Sequence, residues 1–287
     1  MTALLEKSPP TPVTLHNTKK AVSGSLGKLS VRLAETDHEI RELQALRHDV
    51  FFDEMSAIPN PDQILSRLDK DEYDSICDHL LVLEDEDHIA GTYRLLRQDI
   101  AAKASGFYSA QEFDIAPLLQ RHKSRSFLEL GRSCVRPEFR TKRTIELLWH
   151  GTWSYFLHHN CDVMFGCASF SGTDPDAIAQ GLSFLYHNAR APEDWQVNAR
   201  PELAIDMNRL PADVLDTRAA LQSLPPLIKG YLRVGAKVGE HAVIDEQFGT
   251  IDVLIILPIE NIRPRYLNYY GADAGRHKSA GDMSAQR

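Results

Sequence analysis

The chain has 287 residues, 43% hydrophobic and 25% charged, with a formal net charge of -8. That composition supports a globular core and argues against a general nucleic-acid binder, which would be basic. The longest apolar run, residues 253–257, is far too short to span a bilayer, and the first residues lack the apolar stretch of a signal peptide.

Residues 1–28, rich in Pro, Thr, Ser, Gly and Lys, read as a disordered leader. Residues 29–33 alternate as a strand. Ile40, Leu43, Leu46, Val50 and Phe51 then recur at helical spacing, which puts Arg47 and Phe51 on one side of the helix's last turns. Residues 53–70, with Pro59 and Pro61, read as a loop or broken helix. The acid-dense stretch 69–78 follows. In it Asp71 and Asp74 are three apart, either as solvated acids or as a pair that receives an ammonium group. Strands at 79–83 and 89–96 flank a hairpin turn at 84–87, with Arg94 inside the second strand. Residues 99–125 read as irregular, with Phe107, Tyr108 and Phe113 and a short helix near 115–119.

The next stretch carries the chemistry. Residues 127–135 read as a strand holding an acid, Glu129, and a base, Arg132. A basic turn through Arg143 leads into a helix expected over 144–159. Strand, cationic turn and helix N-terminus together suit an anionic ligand. From Arg121 to Arg143 there are eight Lys or Arg against two acids, which points to a localised anionic partner, with a solvated loop as the plainer alternative.

The remaining elements are a buried strand at 163–169, a helix opening on Asp174 and Pro175, and a strand at 203–207. A helix over 224–237 carries Lys229, Arg233 and Lys237 four apart. That stripe suits anionic lipid or an acidic carrier, and equally a solvated helix face. A strand at 248–257 and a short terminal helix at 263–270 precede a disordered tail, 272–287. Cys77, Cys134, Cys161 and Cys167 show no CxxC spacing and read as reduced core residues of a cytosolic protein. Neither HExxH nor Gly-x-Ser-x-Gly occurs, so neither a metal site nor a serine acyl-enzyme is expected.

This order of elements resembles the GNAT N-acyltransferase fold, which implies an α/β (α+β) domain with a mixed central sheet flanked by helices. It would span residues 29–271, with a C-terminal extension from about residue 203. Arg47 and Phe51, Asp71 and Asp74, Arg94 with Leu95 and Leu96, and Glu129 with Arg132 follow the pattern of acyl-homoserine lactone synthases. Two features depart from those synthases: no tryptophan lies between Phe51 and Asp71, and a long C-terminal half follows. The runs 131–136 and 224–231, with Phe248, Gly249 and Thr250, are instead similar to the ornithine N-acyltransferases, also labelled hemolysin-like.

The resemblance implies transfer of a 3-hydroxyacyl group from acyl carrier protein to the α-amine of L-ornithine, giving lyso-ornithine lipid. An α-amine has a pKa about 2 units below that of a side-chain amine, so it loses its proton more readily. Glu129 is the candidate base, with Asp71 and Asp74 as alternatives for that role or as the site for the acceptor's ammonium groups. Arg47, Arg94 or Arg132 would clamp the acceptor carboxylate beside Phe51. A direct Glu129–Arg132 pair would need a bulge, because i and i+3 point to opposite faces of a regular strand. Such a bulge would also free a backbone N–H for the thioester oxyanion.

Where GNAT enzymes carry a glycine-rich pyrophosphate loop, this chain has Arg140, Thr141, Lys142, Arg143 and Thr144. That moves the expected donor from coenzyme A to acyl-phosphopantetheine on acyl carrier protein, contacted by Arg140, Lys142 and Arg143, with no cofactor. The expected location is cytoplasmic, with any membrane contact peripheral and at anionic lipid. Two rivals stand beside this reading. One is a synthase using S-adenosylmethionine, disfavoured by the missing tryptophan. The other is a lipid-binding or lytic protein, for which no strong amphipathic segment is evident.

Overall fold

The computed structural model describes residues 22–263 and Tyr266. Nine strands form one sheet: β1 (Gly24–Leu26), β2 (Leu29–Leu33), β3 (Asp78–Glu84), β4 (His88–Arg97), β5 (Phe127–Val135), β6 (Val163–Ser171), β7 (Ala204–Asp206), β8 (Lys237–Asp245) and β9 (Thr250–Pro258). Their order across the sheet is β1-β2-β3-β4-β5-β6-β9-β8-β7. The described helices are α1 (Asp37–His48), α2 (Pro61–Ser66), α3 (Gln98–Ala101), α4 (Ala116–Arg121), α5 (Lys142–His158), α6 (Ala179–Ala189), α7 (Thr217–Ser223) and α8 (Pro226–Val234). Neighbouring strands are antiparallel except β5 and β6, whose parallel pairing requires the crossover through α5. The mixed sheet with helical flanks is the architecture expected from the sequence.

Apolar side chains divide between the two faces. Leu80, Val82 and Leu95 pack with Leu147, Phe156, Leu182 and Tyr231 of α5, α6 and α8. On the other face Leu81 and Leu83 meet Leu43 and Leu46 of α1, while Phe127, Phe165 and Leu254 meet Phe107 and Phe113. β9 is buried at every one of its positions and pairs with β6 from Val163 to Ser171. The segment read as an extension is therefore part of the central sheet.

Several boundaries differ from the sequence reading. Residues 22–28, expected within the leader, are structured instead: Val22 is fully buried and Gly24–Leu26 pairs with β2. Residues 1–21 lie outside the described residues, as do the tail 272–287 and most of the expected terminal helix. The helix expected at Asp174 begins at Ala179, because the Asp174 carboxylate accepts from the Asp176 N–H at 2.9 Å and closes a local turn. α8 stops at Val234, since Gly235 takes φ +122, so Lys237 opens β8 instead of extending the helical stripe. α5 starts at Lys142, two residues early, with Thr141 as its cap.

Two local devices open the sheet at its centre. Tyr93 of β4 faces both Arg132 and Ser133, because the register steps from Thr92↔Cys134 to Arg94↔Gly131. Arg132 is the bulged residue, with φ +50. The β5–β6 ladder also ends at Glu129↔Phe165, and beyond it the strands diverge, β5 staying with β4 and β6 with β9. Gly166 sits at that fork, where a side chain would collide with the Leu130 carbonyl. Gly166→Ala should cost about 1–3 kcal/mol of stability, read as a shift in the urea midpoint. An unchanged midpoint would show that the fork tolerates a wider approach.

Candidate active site

A cavity of about 230 Å³ occupies the fork between β5 and β6. Glu129 and Cys167 reach it from one face of the sheet, Leu130 and Ala168 from the other, so the opening passes through the sheet. The bulge residues Gly131, Arg132 and Ser133 form one wall. Phe51, Met55, Leu227 and Phe248 supply apolar lining.

Glu129 lies at the cavity and is 5% exposed. It does not pair with Arg132, although the bulge is present. Its carboxylate accepts from the Tyr108 N–H at 2.9 Å, the Ser109 N–H at 2.7 Å and the Ser109 hydroxyl at 2.6 Å. Burial raises its pKa above the ordinary carboxylate range, and the Ser109 and Tyr108 donors offset part of that rise. A carboxyl with a raised pKa accepts a proton more readily near neutrality.

The arginines and aspartates from the sequence pattern converge, but not as equals. Arg47 is 1% exposed, and its Nε lies 2.9 Å from Asp69 and its Nη2 2.7 Å from Asp74. Arg94 donates to both Asp71 oxygens at 2.6 and 2.7 Å and lies 3.2 Å from Asp74. Arg132 reaches Asp69 at 3.2 Å and Asp71 at 3.5 Å. Its guanidinium lies 4.8 Å from the Tyr108 ring centre and 4.6 Å from that of Phe248. Burial works against the Arg132 charge, but Tyr108, Asp69 and Asp71 hold it protonated.

Only part of this network touches the cavity. Arg94 and Arg132 line it, whereas Arg47, Asp71 and Asp74 do not. Asp74 also accepts from Gln44 at 2.8 Å, so its carboxylate is occupied by protein groups. Burial pushes the Asp74 carboxyl upward, yet Arg47 and Arg94 outweigh burial and hold it far below the usual carboxylate range. The four-residue spacing of Arg47 and Phe51 conceals a π-helical turn, Asp49–Glu54, that continues α1. The wider turn breaks their alignment, sending Arg47 into the network and Phe51 to the cavity.

The cationic turn lies past the end of β5, and none of its three residues lines the cavity. Arg140 is held by Glu54 in a two-pronged pair at 2.5 and 2.6 Å, while Lys142 and Arg143 are exposed. Lys229, Arg233 and Lys237, split between α8 and β8, still meet around one cleft of about 450 Å³, together with Arg263.

Sequence reading passed over Asp69, the donors of residues 108–109, and a second acidic group. Glu112, Cys167 and Asp252 have ligand atoms within 4.8 Å of one another, close enough to hold a metal ion, as do His48, Asp49 and Asp53. The detectable signal was Asp252 itself, an acid inside an otherwise apolar run. All four cysteines are free, and burial pushes Cys77 up to about 12 and Cys161 up to about 11.

With this geometry in place, likeness to known proteins is informative. Residues 46–150 match the family described as Acetyltransferase (GNAT) domain. An L-ornithine N(alpha)-acyltransferase of Rhizobium meliloti (strain 1021) is 54% identical over 90% of this chain and 89% of its own length. One of Agrobacterium fabrum (strain C58 / ATCC 33970) is 51% identical over 88% of each chain. The chain belongs to the L-ornithine N(alpha)-acyltransferase family. Among solved structures, the N-acyl amino acid synthase FeeM from uncultured soil microbes aligns with TM-score 0.47 at 9% identity, over 82% of this chain and 93% of that one. Within this acyltransferase family member, no helix among the described residues is long and apolar enough to cross a membrane.

Asp74→Asn should cost about 3–5 kcal/mol at pH 7, because it leaves two buried guanidiniums short of charge. The folded carboxyl titrates below its unfolded value of about 3.9, so its contribution is complete above that pH and fades below it. The stability gap between wild type and variant should therefore close as the pH falls under about 4. A gap independent of pH in urea titrations would contradict this assignment.

Proposed function

We propose that this chain transfers a 3-hydroxyacyl group from the phosphopantetheine thioester of acyl carrier protein to the α-amine of L-ornithine, giving lyso-ornithine lipid. The observation that carries the acceptor is the 54% identity, over nine-tenths of the chain, to a protein named for that reaction. The glycine-free turn, with exposed Lys142 and Arg143 leading into α5, supports a carrier-bound donor, whose single phosphate and acidic surface suit side-chain cations.

The thioester carbonyl enters the fork beside Gly131–Ser133, where the bulge offers backbone N–H groups to the oxyanion. Arg132 and Arg94 receive the acceptor carboxylate. The neutral α-amine attacks the carbonyl carbon and a C–N bond forms. Glu129 takes the amine proton, directly or through water, and returns it as the C–S bond breaks and the phosphopantetheine thiol leaves. Asp71 orients Arg94 and Arg132, while Asp74 and Arg47 fix the network behind them. No metal or further cofactor enters this scheme. The cationic cleft around Lys229, Arg233, Lys237 and Arg263 supports peripheral contact with anionic lipid, next to which an amphiphilic product would be released.

The test is purified protein with acyl carrier and coenzyme A thioesters against a panel of amino acids, with products read by mass. Acyl-ornithine formed from the carrier donor is the expected product, and a product that requires S-adenosylmethionine would overturn the proposal. Glu129→Gln should lower kcat by about 100-fold or more with a much smaller change in acceptor KM. Near wild-type turnover would remove Glu129 as the base. Lys142→Glu with Arg143→Glu should raise KM for the carrier donor and flatten its salt dependence. An unchanged salt profile would place docking elsewhere.

A further inference from the structure

The acceptor proposed above carries a second amine that takes no part in the reaction. A side-chain amine of this kind has a pKa near 10, so it stays cationic at neutral pH. Burying that charge without a partner is costly, and the wall formed by Arg94 and Arg132 would repel it. A selective site therefore needs an anionic counterpart elsewhere in the cavity.

The far wall contains one. Asp252 of β9 and Cys167 of β6 line the cavity, and Glu112 lies behind them, accepting from the Cys167 thiol at 3.4 Å. Asp252 is 7% exposed, with the Thr250 hydroxyl donating to one of its oxygens at 2.8 Å. Among the described residues, neither Asp252 nor Glu112 forms an ion pair. The other buried acids differ: Asp69 and Asp74 face guanidiniums, and Glu129 receives three hydrogen bonds. Asp245 also lines this end, although one of its oxygens is taken by the Gln247 and Phe248 N–H groups. A buried carboxylate in a cavity wall, backed by another and forming no ion pair among the described residues, is suited to receive a cation.

We infer that Asp252, backed by Glu112, binds the side-chain ammonium of the acceptor and so selects a diamino acid over neutral amino acids of equal length. This rests on the proposed acceptor reading and deepens it. The α-carboxylate goes to the arginine wall, the distal ammonium to the acid wall, and the α-amine is left between them beside Glu129. Burial raises the Glu112 and Asp252 pKa values, as do the neighbouring charges of Asp252 on Glu112 and of Asp245 on both, while the Cys167 thiol at Glu112, the Ser169 and Thr250 hydroxyls at Asp252 and the Arg132 charge on both offset part of the rise.

The experiment compares kcat/KM for L-ornithine and L-norvaline, which has the same chain without the amine, in wild type, Asp252→Asn and Glu112→Gln. Wild type should strongly favour ornithine. Asp252→Asn should lower the ornithine-to-norvaline ratio by about 10- to 100-fold, mainly through a raised ornithine KM. Glu112→Gln should move the ratio in the same direction by less, and it provides the test should Asp252→Asn fold poorly. An unchanged ratio in both folded variants, or a wild type that acylates both amino acids equally, would overturn the inference while leaving the reaction standing. A wild type that acylates no amino acid would overturn the reaction and the inference together. Selectivity abolished by EDTA and restored by zinc would make Glu112, Cys167 and Asp252 a metal site instead.

Discussion

Three guanidiniums and three carboxylates hold the centre of this structure together. Arg47, Arg94 and Arg132 come from α1, β4 and β5, whereas Asp69, Asp71 and Asp74 come from one short segment before β3. The charges sum to zero, which lets the group lie under α1 without an uncompensated ion. Such a network contributes little net stability compared with apolar packing, but it is strict about geometry. Arg132 shows why that matters. A non-glycine residue at φ +50 carries a cost of order 1–3 kcal/mol, and two aspartates and two aromatic rings hold its side chain in that conformation. The network thus fixes the bulge, and the bulge shapes the cavity wall.

Glu129 is positioned by a different kind of restraint. Neutral donors hold it, from the turn at residues 108–109, and although the Arg94 charge also lowers its pKa, burial outweighs these effects, whereas at Asp74 Arg47 and Arg94 outweigh burial. Glu129, the candidate base, and Asp74, its alternative, therefore divide by environment. Asp74 is held as an anion by buried guanidiniums, and Glu129 lies at the cavity with a raised pKa. That division favours Glu129 over Asp74 as the base more firmly than spacing alone.

Much of this was legible in the sequence because it depends on local rules. Alternation marked β2, short apolar stretches marked β3 to β6, Asp85 and Glu86 adopt the positive φ values of the expected hairpin turn, and Glu129 and Arg132 stood out as charges in an apolar strand. What remained hidden depends on distant chain. The π turn after His48 leaves the apolar spacing of α1 almost unchanged. β8, with its mixed composition, becomes a strand because β9 pairs beside it. Asp69 looked like any loop acid, since Arg47 and Arg132 are 22 and 63 positions away.

The division of labour along the chain follows from the same topology. The shared acetyltransferase domain, residues 46–150, supplies the arginine network, Glu129 and the bulge. It does not contain β6, β8 or β9, which bring Cys167, Asp245 and Asp252 to the opposite wall. Because β9 lies against β6 and not at a sheet edge, the C-terminal half closes the cavity and cannot be removed without exposing β6 along its length. On the proposed assignment, acyl transfer chemistry resides in the common domain and acceptor choice in the strands added to it. Acceptor preference could then diverge by changing one buried residue of β9 while the catalytic wall stays fixed.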